Sequence, residues 1–160
     1  MKEEKILAIK LDGGMPRLIE LENNAECFSE AIGCELIDIL EIDIAGTKFD
    51  AVIDDEGVYN SPDKVTAIWG KSDGSATYQT LHGTILLTHC NEEGEQTSVN
   101  MIPDMTAVYS RLISITSNQQ TDRGATTGVL YNADVVPPTK EELLKQIFGD
   151  DCGDVAVIGA

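Results

Sequence analysis

A chain of 160 residues is long enough for a single domain that buries about two-thirds of its unfolded surface without disulfide or metal staples. Its 28 Asp and Glu against 11 Lys and Arg leave a formal net charge of −17, and a hydrophobic fraction of 42% keeps it out of the intrinsically disordered class. Such a charge opposes phosphate, so direct nucleic-acid binding and anionic-membrane binding are excluded as readings of the surface.

In chain order, residues 5–10 read as an apolar strand, Asp12-Gly13-Gly14 as a turn and residues 17–21 as a second strand, which together make a hairpin. Asn23 or Asn24 caps a helix from Ala25 to about Ile32, with Phe28 and Ile32 on one face and Gly33 as the stop. Residues 34–44 alternate as a strand. Leu36, Asp38, Leu40, Ile42 and Ile44 share one parity and Glu35, Ile37, Ile39, Glu41 and Asp43 the other, so neither face is cleanly apolar and a bend or bulge is expected. Ala45-Gly46-Thr47 turns the chain into residues 49–53, and Asp54-Asp55-Glu56-Gly57 turns it into Val58-Tyr59.

Residues 65–69 form a last strand of the first half, before the loop Gly70-Lys71-Ser72-Asp73-Gly74. Residues 83–89 read as a buried strand, and Asn91-Glu92-Glu93-Gly94-Glu95 as a hairpin loop. Pro103 and Asp104 open an amphipathic helix carrying Met105, Val108, Leu112 and Ile115. Residues 117–128 read as a loop, Thr139 to Glu142 as a capping box for a helix ending before Gly149, and residues 155–158 as an apolar tail. The expected class is α+β, a mostly antiparallel sheet with two or three short helices. An acidic β-rich lobe over residues 1–70 and an α+β lobe over 71–160 would form one compact unit. No stretch has the ~18 consecutive apolar residues of a membrane span, and four cysteines are too few for a disulfide scaffold; reduced, mostly buried thiols in a cytoplasmic protein are expected.

Motifs for chemistry are weak. Gly70-Lys71-Ser72-Asp73-Gly74 fits the G-x-S-x-G pattern, but no amphipathic helix follows it and only His82 and His89 are available as a base. Cys27 with Cys34, and His82 with His89, are each seven positions apart. That separation is ~10 Å on a helix and ~23 Å on a strand, too far for either pair to share one zinc ion. The carboxylates of Asp54-Asp55-Glu56 lack the spacing of a calcium loop, and no phosphate-cradling glycine motif is present. No metal, cofactor or catalytic residue is therefore expected.

Charge is the remaining signal. Residues 18–63 carry thirteen acids against Lys48 alone, a net −12 in about a quarter of the chain. Glu26, Glu30, Glu35, Asp38, Glu41, Asp43, Asp54, Asp55 and Glu56 are the candidate partner-binding residues, suited to a basic protein.

Several short segments carry a family resemblance: Ile6-Leu7-Ala8-Ile9, Phe28-Ser29-Glu30-Ala31-Ile32-Gly33, Asp54-Asp55-Glu56-Gly57, His82-Gly83-Thr84-Ile85-Leu86-Leu87 and Asn91-Glu92-Glu93-Gly94-Glu95. Over residues 5 to about 100 the chain resembles domain of unknown function 3846, a family of phages and integrative elements. Cys34 stands where a second glycine is usual, and Asp63-Lys64 where Asn-Arg is usual. The resemblance brings no catalytic residues; it implies mobile-element biology, in which accessory proteins often resist host defence. Joined to the charge, it implies a non-enzymatic counter-defence inhibitor of a host nuclease or nucleic-acid-binding complex, acting by acidic mimicry. The alternative is an oligomeric binding protein that sequesters a nucleotide immune signal.

Overall fold

The computed structural model describes residues 4–13, 15–61, 64–70, 78–117, 126–131 and 155–158. Five strands and a short sixth make the first sheet: β1 (Lys5–Leu11), β2 (Arg17–Glu22), β3 (Ile37–Ile44), β4 (Thr47–Asp54), β7 (Ile85–Cys90) and β8 (Gln96–Thr97). Its order is β2-β1-β7-β4-β3, with β8 on β7, and every pairing is antiparallel. The second sheet runs β11-β9-β10-β5-β6, from β5 (Val65–Gly70), β6 (Tyr78–His82), β9 (Leu112–Ser117), β10 (Thr126–Tyr131) and β11 (Val155–Ile158). Only β5 with β10 is parallel among its described pairings. Helices α1 (Ala25–Ile32), α2 (Gly57–Asn60) and α3 (Met101–Ser110) are short, so the expected α+β class with a mostly antiparallel sheet is what the chain forms.

Alternation along the strands sorts the first sheet's two faces. Ile9, Leu11, Ile42, Ile44, Phe49, Ala51, Ile85 and Leu87 face a core completed by Ala67, Leu81 and Leu130 of the second sheet and by Ala107 and Val108 of α3. Ile6, Val52 and Leu86 point the other way and are covered by Phe28 of α1, with Ala31, Ile32 and Ile37 beside it. A boundary at 70/71 runs through both sheets. β7 lies between β1 and β4 at the centre of the first, and β5 belongs to the second.

Three elements differ from the sequence reading. The helix expected to carry Leu112 and Ile115 ends at Ser110, and residues 112–117 are β9. In this segment Ile113, Ile115 and Thr116 are β-branched, and pairing with β10 over residues 112–116 and with β11 over 114–117 engages its backbone as a strand. Val58-Tyr59 belongs to α2 instead of a strand. β3 pairs with β4 without interruption from Ile44↔Thr47 to Ile37↔Asp54, while the irregularity falls in β5, between Val65 and Ala67. The β3–β4 turn is the dipeptide Ala45-Gly46, both at positive φ, 54° and 89°. A two-residue hairpin of the right twist demands that conformation, and Ala45 adopts it at a cost of about 1–2 kcal/mol. The helix expected before Gly149 lies outside the described residues.

The described thiols are free but not buried: Cys27 and Cys34 are half-buried and Cys90 is exposed. Among the described residues no helix is long and apolar enough to cross a membrane.

Candidate functional site

Helix α1 divides its residues between sheet and solvent. Asn24 caps it by accepting from the Cys27 N–H at 2.8 Å, and Gly33, at φ 84°, closes it by donating to Ser29 O at 2.7 Å. Phe28, Ala31 and Ile32 face the sheet, which leaves Glu26, Ser29 and Glu30, three and four apart, on an outward stripe. Opposite this stripe stands the turn after β4. Asp54 builds it, its Oδ1 accepting from the Glu56 N–H at 2.9 Å and its Oδ2 from Asn60 Nδ2 at 3.0 Å. The Asp55 N–H donates to Leu36 O at 3.0 Å and ties the turn to the start of β3.

Between the stripe and the turn lies an open groove of about 880 Å³. Glu26, Glu30, Glu35 and Glu56 line it with Ser29, Cys34 and Asn60, and no cationic side chain does. Four of the nine candidate acids therefore converge. The other five do not join them. Asp54 is spent on the turn, and Asp55 is exposed beside it. Asp38 accepts from the Ile39 N–H at 2.8 Å, and Asp43 accepts from the Gly46 N–H at 2.8 Å, closing the β3–β4 hairpin. Glu41 is exposed on the sheet, directly opposite Asp50, with Lys48 at 3.8 Å. That ion pair is largely exposed at both ends and adds little.

Two thiols sit in this negative field. Burial, and then the charge of Asp54, push the Cys34 thiol upward. For Cys90, the slight desolvation of a mostly exposed thiol acts first, followed by the charge and hydrogen bond of Asp50 and the charge of Glu41, again upward. Both thiols are thereby kept protonated at neutral pH and are poor nucleophiles. A testable consequence is that Asp50→Asn lowers the Cys90 pKa and raises its thiolate fraction near pH 8. Alkylation at Cys90, followed by peptide mass spectrometry over a pH series, should then run about two- to fivefold faster than in the parent. An unchanged rate profile would show that Asp50 does not govern this thiol.

Asp50, Asn60 and Asp104 were not among the candidate residues. Asn60 carries no signal of its own, because its role depends on a carboxylate six positions earlier across a turn. Asp104, expected only as a first-turn helix residue, is buried and receives His89 Nε2–H at 2.6 Å and the Asn100 N–H at 2.5 Å. His89 stacks on Phe49, ring centroids 4.9 Å apart, so this cluster anchors α3 to the core. Among the described residues no three His, Cys, Asp or Glu side chains are arranged to hold a metal ion. Ser72 lies outside the described residues.

The segments Asp54-Asp55-Glu56-Gly57 and His82-Gly83 meet in space beside the groove. His82 Nδ1 lies 3.0 Å from Ser61 O, and the Gly83 N–H donates to Lys64 O at 3.0 Å. No curated protein and no solved structure matches the chain. A family does: the sequence pattern of a domain of unknown function, DUF3846, matches residues 2–110, which takes in the first sheet, the three described helices and the groove. With more than half of its length matched, the chain belongs to the DUF3846 family.

Proposed function

We propose that this protein is a non-enzymatic inhibitor whose acidic groove seats on the basic nucleic-acid channel of a host nuclease or nucleic-acid-binding complex, in the service of a phage or mobile element. The observation that carries the reading is the convergence of Glu26, Glu30, Glu35 and Glu56 on one open groove with no cation among its lining residues. Four carboxylates with no cation among the lining residues offer a basic channel the same sign of charge as a nucleic-acid backbone. The net −12 of residues 18–63 extends the field around them and speeds encounter with a positive partner. The same carboxylates repel a nucleotide phosphate, so the groove does not favour the sequestering alternative.

The test is inhibition of purified DNA-cleaving and DNA-binding complexes, titrated at 50 and 200 mM salt. The parent should inhibit at least one, on the order of tenfold more weakly at the higher salt, because exposed charges are screened over a shorter distance there. Reversing all four groove glutamates to Lys should abolish the effect while leaving the fold intact, since exposed substitutions typically shift stability by less than about 0.5 kcal/mol each. Inhibition that survives the reversal and has no salt slope would remove the proposal.

A further inference from the structure

We propose that the outer edge of β3 is a second binding element, which takes an extended basic segment of a partner as an added antiparallel strand. The inference shares with the functional reading only the sign of the partner's charge, and it stands on different residues.

β3 is the last strand of its sheet and pairs with β4 alone among the described residues. In a two-residue hairpin the closing pair, here Ile44 and Thr47, exchanges both of its backbone hydrogen bonds, and the pattern alternates from there. Ile44, Ile42, Leu40 and Asp38 therefore bond to β4, whereas the N–H and C=O groups of Asp43, Glu41, Ile39 and Ile37 point away from it. These eight groups span about 20 Å of strand. The bond from the Ile39 N–H to its neighbour's carboxylate, Asp38 Oδ1, fits this phase, because that N–H has no partner in the ladder. The edge is also apolar in part: Ile39 is 44% exposed and Leu36, just before the strand, 55%. Open edges of this kind are templates for another strand.

Charge decides which strand. A second copy of β3 would set Asp38, Glu41 and Asp43 against the same acids, and like charges across a ladder are destabilising. A segment with bases at alternate positions places them beside Asp43 and Glu41, and an apolar residue two positions on lies beside Ile39. Read from its N-terminus, the complementary antiparallel strand is basic, any, basic, any, apolar. A further base after the apolar residue reaches Asp38 as that carboxylate gives up the Ile39 N–H.

The probe is a capped peptide, Lys-Thr-Lys-Val-Val-Lys-Val, titrated into the full chain by calorimetry and by amide NMR. Binding is expected, with the largest shifts at the amides of residues 37–43. It should weaken at least tenfold with Ile39→Pro, which removes one outward N–H without altering charge or the bonds to β4. The same loss is expected when the peptide is N-methylated at alternate residues, and this arm decides the matter should Ile39→Pro fail to fold. Equal affinity for the methylated peptide, shifts centred on Glu26, Glu30 and Glu56, or no binding would overturn the proposal. So would a dimer of the parent that Ile39→Pro dissociates, which would make the occupant a second copy. The four-lysine groove variant separates the two readings. Lost inhibition with peptide binding retained supports both sites, whereas peptide binding lost with the groove charges overturns the edge as a separate element.

Discussion

Asp104→Ala is expected to lower stability by about 2–4 kcal/mol, which for a chain of this size moves the thermal midpoint by about 5–10 °C. Asp104 is only 2% exposed, and its Oδ2 accepts from both His89 Nε2–H and the Asn100 N–H. Alanine leaves two donors without an acceptor at the point where α3 meets β7. A buried donor stripped of its partner loses its desolvation free energy in full, about 1–3 kcal/mol. His89 retains some access to water, which keeps the total below that of a fully enclosed ion pair. Asp104→Asn preserves volume and one acceptor, so it should cost about half as much. Urea unfolding checks both: the midpoint should fall with an unchanged slope. An Ala variant as stable as the parent would mean that packing of Ala107 and Val108 on the core holds α3 without the carboxylate.

Gly57→Ala should cost about 1–3 kcal/mol and loosen one wall of the groove. A Cβ at position 57 would come within 2.7 Å of the His82 backbone oxygen. That oxygen does not yield easily, because β6 is held along its length by β5 and His82 Nδ1 by Ser61 O. The displaced element is therefore α2, a four-residue turn whose other face presents Glu56 and Asn60 to the groove. Any inhibitory activity should weaken along with stability, and amide hydrogen exchange should rise over residues 54–60. Val58→Ala, at an exposed position of the same turn, serves as the control and should change neither. If Gly57→Ala melts as the parent does, α2 is not seated against His82.

The elements legible in the sequence are those whose causes lie within a few residues. Helix α1 runs from the Asn24 cap to the Gly33 stop with Phe28 inward, as expected, because capping and i, i+4 contacts are local. The β1–β2 and β7–β8 hairpins follow from their turn residues, with Gly94 at φ 80°. Residues 105–115 are ambiguous for the opposite reason. Their apolar positions fit a period of 3.6 as well as they fit alternation from Leu112 onward, and strands β10 and β11, distant in sequence, decide between them.

The acidic surface divides in the same way. Composition places thirteen acids between residues 18 and 63, and alternation shows that Glu41 and Asp43 share a parity. Which of them converge was settled by tertiary contacts alone. Asp54 reaches Asn60 to fold the turn, Gly57 seats that turn on His82, and α1 lies on Val52 and Leu86 so that Glu26 and Glu30 face Glu56. β7, more than seventy positions from β1 in the chain, lies between β1 and β4 and carries Leu86 to that seat. Local rules act through the backbone of neighbouring residues, whereas a groove is made of side chains that only long-range strand pairing brings to face each other.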